Sequence, residues 1–192
     1  MVLSAAAAPR TLLVFGDSLS AGYGLAPGQG WVALLEKRLR TQGYEYRVVN
    51  ASVSGETTGG GLERLPRALQ LHKPDVVVIE LGANDGLRGL PVASARNNLL
   101  EMAALAQDAG AQTLLLGMRM PPNYGPRYTA DFARMFAEVA NRSHMALVPF
   151  FLEGVALKAN AIQADGLHPN ASAQPALLGV VWPHLEPLLK KH

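Results

Sequence analysis

The stretch that decides the fold is Leu12–Gly24, LLVFGDSLSAGYG. Four apolar residues, Leu12 to Phe15, run into Gly16, a bare Asp17-Ser18 pair and then small residues. So short and continuous an apolar run reads as a strand covered on both faces, as in a parallel sheet. It stops on Gly-Asp-Ser, and a serine just past a tight turn has two readings. It caps a helix, or it is a nucleophile held where the strand leaves the sheet.

Outward from this stretch the pattern alternates. Thr11–Phe15 is followed by similar runs at Glu45–Val49, Asp75–Leu81, Gln112–Leu116 and Ala146–Val148. Between them, apolar residues recur at helical spacing. Trp31, Leu34, Leu35 and Leu39 share one face, and Glu36, Lys37 and Arg40 face away. Leu62, Leu65 and Leu69 repeat the pattern, with Pro66 predicting a kink or restart. Pro91 suits the first turn of a helix carrying Ala95, Leu99, Met102 and Ala106, which Gly110 ends. Asp131–Asn141 carries Phe132, Met135, Phe136 and Val139. A last helix, from about Asn170, carries Leu177, Leu178, Val181 and Trp182, with Pro183 and Pro187 breaking it. Strands alternating with helices predict an α/β fold, a three-layer α/β/α sandwich around a five-stranded parallel sheet. Right-handed crossovers favour the order 2-1-3-4-5. With 192 residues and no linker, one domain over 1–192 is expected.

Composition excludes several classes. Hydrophobic residues make up 49%, enough for a buried core. The net charge is +2 without basic clustering, which argues against nucleic acid as partner. Without cysteine there is no disulfide scaffold, thiolate metal site or cysteine nucleophile. No apolar run approaches the roughly 20 residues of a membrane span, so no stable membrane insertion is expected. Residues 1–10, MVLSAAAAPR, lack the basic and apolar regions of an intact signal peptide and are expected to be a flexible remnant.

In open α/β sheets ligands bind beyond the C-terminal strand ends. The loops there hold Gly16-Asp17-Ser18, Asn50–Glu56, Gly82–Gly86, Met118–Tyr124 and Asp165–Asn170. Ser, Asp, Asn and His beside Gly suit ordinary turns, but here they gather on one rim. Asp165 stands three residues before His168, Gly166 frees the backbone between them, and Pro169 biases His168 away from helical geometry. A carboxylate so placed can fix the imidazole tautomer and leave the other nitrogen as a general base. The plain alternative is a surface turn with an incidental histidine. His72, His144, His184 and His192 have no such setting and read as surface residues. Ser18 lacks the G-x-S-x-G elbow, since Leu19 and Ser20 follow it. Donors for an oxyanion are on offer from the N–H of Ser18, the N–H of Gly55 and the side-chain amide of Asn84. Taken singly, Gly55 is a turn residue and Asn84 a cap. Asp17 and Asp85 read as structural acceptors for loop N–H groups.

Taken together, GDSL at Gly16–Leu19, Gly55, Gly82–Asp85 and Asp165–His168 resemble the four ordered blocks of the SGNH (GDSL) hydrolase family. VVNASVSGETT, ELGANDGLRG, MRMPPNYGPRY and DGLHPNASAQP extend the resemblance to its bacterial thioesterase, lysophospholipase and arylesterase branch, from Thr11 to Leu189. Ala83 replaces a glycine common in that branch and leaves Asn84 in place. The resemblance implies a flavodoxin-like sheet. It implies Ser18 as nucleophile, His168 as general base and acid, and Asp165 as its orienting partner. Ser18, Gly55 and Asn84 would form the oxyanion hole. It implies hydrolysis of carboxylic esters and acyl thioesters without cofactor or metal, in the periplasm or outside the cell, with a cytoplasmic location as the alternative. The expected partners are small ester and thioester molecules, lysophospholipids among them, and the chain is expected to be a monomer or weak oligomer.

Two loops are expected to set specificity. Leu87, Arg88 and Leu90 lie on a Gly-hinged segment that would close on the acyl chain. Met118, Met120, Pro121 and Tyr124 form an apolar rim, with core packing as the alternative for the methionines. Arg88 and Arg119 would meet an anionic head group or simply be solvated. The rivals are a metal phosphoesterase built from Asp17, Asn84, Asp85, Asp165 and His168, a non-catalytic binding domain and, within the class, a sugar O-acetylesterase.

Overall fold

Leu12, Leu13, Val14 and Phe15 have no exposed surface, as an interior strand of a parallel sheet requires. The computed structural model describes residues 10–191. In chain order the elements are β1 (Arg10–Gly16), α1 (Ser18–Ala21), α2 (Trp31–Thr41), β2 (Tyr46–Asn50), α3 (Thr58–His72) and β3 (Val76–Glu80). There follow α4 (Ala83–Leu87), α5 (Val92–Asp108), β4 (Gln112–Leu116), α6 (Pro126–Arg142), β5 (Ala146–Val148) and α7 (Gln174–Leu185). The sheet is parallel throughout with the predicted order, β2-β1-β3-β4-β5. Helices α2 and α7 cover one face, and α3, α5 and α6 cover the other. Trp31 meets Phe151 edge-on at 5.6 Å in one layer, and Phe132 meets Phe136 edge-on at 5.4 Å in the other. The site sits where β1 and β3 end side by side, with Gly16 the register partner of Glu80.

The structure departs from the expected elements where tertiary packing outweighs a local signal. Arg10 is not part of a flexible remnant: it opens β1, paired with Tyr46. The expectation for residues 1–9 lies outside the described residues, as does that for His192. Strands β2 and β5 are sheet edges and are only partly covered. Helix α3 runs unbroken through Pro66, because Pro66 lies on the exposed face while Leu65 and Leu69 anchor the buried one. The carbonyl that Pro66 leaves without a donor can there be solvated. Pro183 falls within the last turn of α7, held by buried Trp182 and Leu185, and the chain leaves the helix only at a 3₁₀ turn over Glu186–Leu188. That helix begins at Gln174, after a 3₁₀ turn at Ala171–Ala173, rather than near Asn170. Helix α6 starts at Pro126, the favoured first helical position for proline, rather than at Asp131. Helices α1 and α4 replace what read as loops, and they carry Ser18 and Asn84.

Candidate active site

The turn after β1 is tied down by its own side chains. Asp17 caps α1, its Oδ1 accepting from the Leu19 N–H at 3.0 Å. Ser18 is therefore the first residue of a short helix, where the backbone N–H has no intrahelical partner and stands as a ready donor. Gly55 has φ +80°, a left-handed conformation that side chains rarely adopt. Its N–H donates to no group among the described residues. Gly82, also left-handed, turns the chain out of β3 directly into α4 and so presents Asn84 to the rim. The Asn84 Nδ2 donates to Asp17 Oδ2 at 3.0 Å and to the Glu56 carbonyl at 2.9 Å. Asp85 accepts from the Thr58 N–H at 2.8 Å and from the Thr58 hydroxyl at 2.6 Å, which pins the start of α3 to α4. Asp17 and Asp85 thus bind loop and helix N–H groups, as structural acceptors should.

His168 arrives from the other end of the chain. Gln163 accepts nothing from the ring but braces its backbone: the Gln163 N–H donates to the His168 carbonyl at 2.7 Å, and its Nε2 donates to the Tyr23 carbonyl at 2.8 Å. Gln174 adds a second brace, accepting from the Trp31 N–H at 2.9 Å while donating to the Pro169 carbonyl at 3.3 Å. With the backbone so held, His168 Nε2 lies 2.8 Å from Ser18 Oγ. Nδ1 lies 2.7 Å from Asp165 Oδ2. The other Asp165 oxygen accepts from the N–H groups of Leu167 and His168 at 2.9 and 3.0 Å. These backbone hydrogen bonds, helped by the imidazole, lower the Asp165 carboxyl to about 2. An ionised carboxylate on Nδ1 puts the proton there and leaves the Nε2 lone pair facing the Ser18 hydroxyl. The Tyr23 ring lies over His168 with centroids 4.7 Å apart.

These groups open into a cleft of about 330 Å³, within the range of small-ligand sites. Ser18, Gly55, Asn84 and His168 line it, as do Leu87, Met118, Met120 and Pro121. The two methionines are also buried in the core. Three expected pocket residues point elsewhere. Arg88 is drawn onto the Gly55 carbonyl at 2.9 Å. Leu90 is solvent-exposed outside the cleft, its carbonyl taken by the Tyr128 hydroxyl. Tyr124 turns its hydroxyl to the Leu87 carbonyl and supports the wall from behind. In their place stand Tyr23, Phe150, Leu152, Ala156, Ile162 and Leu167. Most of these lie on the irregular segment between β5 and His168, which carries no period that would have marked it. Arg119 also lines the cleft, with its guanidinium 4.9 Å from the Phe150 ring centre. Among the described residues no three His, Cys, Asp or Glu side chains gather in a way that could hold a metal ion.

A hydroxyl, an imidazole and a carboxylate in line, beside unpaired N–H donors and an apolar cleft, define a hydrolase that works by acyl transfer. The chain belongs to the GDSL-like lipase/acylhydrolase family, whose model matches residues 14–174, and is a carboxylic ester hydrolase of the GDSL esterase–thioesterase type. It is 58% identical to esterase TesA of Pseudomonas aeruginosa over 189 residues, covering 98% of this chain and 94% of that protein. It is 42% identical to thioesterase 1/protease 1/lysophospholipase L1 of Escherichia coli, covering 96% of this chain and 87% of that protein. A crystal structure of TesA superposes with a TM-score of 0.92 at 59% identity, covering 94% of this chain and all of that one.

Proposed function

We propose that the protein hydrolyses small carboxylic esters, aryl esters, acyl thioesters and lysophospholipids through an acyl-enzyme on Ser18. The observation that carries this reading is the Asp165–His168–Ser18 line, with contacts of 2.7 and 2.8 Å. His168 Nε2 takes the Ser18 proton as Oγ attacks the acyl carbonyl, and Asp165 stabilises the resulting imidazolium. The oxyanion is held by the N–H groups of Ser18 and Gly55 and by Asn84. Both amide hydrogens of Asn84 are engaged beforehand, so it arrives oriented and shares one of them with the oxygen as charge develops. Collapse breaks the bond to the leaving group, which takes the proton from His168. Water then repeats the sequence and frees Ser18.

The leaving group lies on the open side of His168, where exposed Tyr23 offers a flat surface to an aryl or thioester group. The acyl chain lies along Met118, Met120, Leu152 and Ile162. The resemblance to the periplasmic and secreted branch supports work outside the cytoplasm. Among the described residues no helix is long and apolar enough to cross a membrane.

A panel of p-nitrophenyl esters, acyl-CoAs and lysophospholipids tests the reading. Turnover of at least one ester and one thioester is expected, with all of it lost in Ser18→Ala. Activity confined to acetylated sugars would favour the O-acetylesterase alternative.

A further inference from the structure

Beneath the nucleophile turn lies a carboxyl group that the acyl transfer itself never touches. Glu80 ends β3 beside Gly16 and is completely buried. Its Oε2 accepts from the Ser20 hydroxyl at 2.8 Å and from the Asp17 N–H at 3.3 Å, while the Trp31 indole N–H donates to the same hydroxyl at 3.3 Å. A Cβ on Gly16 would stand 2.7 Å from Oε2, so the absence of a side chain there is what admits the carboxyl. The other oxygen, Oε1, is buried and meets no donor among the described residues.

An ionised carboxylate is an acceptor only. Burying one with an unfilled oxygen, against the buried carboxyl of Asp17, is doubly unfavourable. A proton on Oε1 removes both problems. It cancels one of two like charges and turns an orphan acceptor into a donor beside Asp17, whose N–H already meets the other oxygen, Oε2, at 3.3 Å. Burial and the neighbouring Asp17 charge also push the Glu80 carboxyl well above the ordinary range. Asp17 in turn holds the Leu19 N–H on one oxygen and the Asn84 amide on the other. A hydrogen-bonded chain thus runs from Glu80 through Asp17 to the nucleophile turn and to an oxyanion donor.

We propose that Glu80 is held as a neutral carboxylic acid under the rim and, by donating to Asp17, positions the Ser18 turn and the Asn84 amide. The inference rests on the roles given above to Ser18 and Asn84. Glu80 touches no reacting atom; it is a positioning residue.

Two substitutions and one spectrum test it. Glu80→Leu removes the donor and is expected to lower kcat about 100-fold with little change in KM, the scale of a small misplacement of catalytic groups. Glu80→Gln reproduces the neutral acid, with its carbonyl accepting from Ser20 and its amide donating to Asp17, and is expected to restore most of that loss. A Gln variant as inactive as the Leu variant would overturn the proposal, because a negative charge would then be the requirement. Wild-type turnover in Glu80→Leu would overturn it as well. Infrared spectroscopy of the wild-type protein at neutral pH should show a protonated-carboxyl C=O band that disappears in Glu80→Gln, and its absence from the wild type would refute the neutral acid. That band reads Glu80 directly, so it stands or fails separately from the roles of Ser18 and Asn84, and it needs no folded Leu variant.

Discussion

His168 Nε2 and Ser18 Oγ are 2.8 Å apart although 150 positions separate them in sequence. The contact exists because β1 lies inside the sheet, between β2 and β3, and because Gln163 and Gln174 brace the returning chain against the Tyr23 and Trp31 segments. A serine and a histidine are brought together this way with Asp165 behind, and the helix cap beside them is Asp17, not Ser18.

Asp165 is held ionised down to about pH 2 by two backbone N–H groups and the imidazole. The acid limb of the activity profile therefore does not arise from its protonation. Asp165→Asn is expected to lower kcat by about 10²- to 10⁴-fold through loss of the correct tautomer. Steady-state kinetics on a p-nitrophenyl ester would show it, and an unchanged kcat would mean that the Nδ1 contact is incidental.

Asn84→Ala is expected to reduce kcat by about 100- to 1,000-fold, the usual loss for one oxyanion donor. KM should change little, since the ground-state carbonyl uses this donor weakly. A loss that appeared mainly in KM would assign Asn84 to substrate binding.

Burial raises the Asp17 carboxyl from an ordinary 3.8 to about 6. Between those values the folded state holds the proton more tightly than the unfolded chain does. The contribution of Asp17 to stability is therefore fully present below about pH 4 and is lost as pH rises through about 6. Melting temperature is expected to rise on going from about pH 7 to pH 5, and Asp17→Asn should flatten that rise. A steeper rise in the variant would contradict the assignment.

Ala156 lines the cleft with Leu152 and Ile162. Ala156→Trp should fill part of it, lowering kcat/KM for medium-chain esters while sparing acetate. Equal losses on both would show that the acyl chain lies elsewhere.

The β1 run, the sheet order and the rim positions of Ser18, Gly55, Asn84, Asp165 and His168 were legible because each rests on a short local pattern. The strands are continuous apolar runs, and the rim follows from where parallel strands end. Glu80 was not legible as anything but the end of VVVIE, because its setting arises from parallel register with Gly16. Arg88, Leu90 and Tyr124 were misplaced for a related reason. Sequence puts them near the cleft, but the Gly55 carbonyl, the solvent and the Leu87 carbonyl decide where they point. Pro66 and Pro183 misled in the opposite direction, since a proline breaks a helix only where packing does not hold it.

Acyl transfer here requires that Ser18 carry the acyl group. Intact-mass measurement after treatment with a fluorophosphonate tests it most directly. One adduct per chain is expected, mapped to Ser18, with loss of ester hydrolysis in step with labelling and neither labelling nor turnover in Ser18→Ala. An adduct on another residue, or a Ser18→Ala protein that keeps wild-type turnover on a p-nitrophenyl ester, would contradict it.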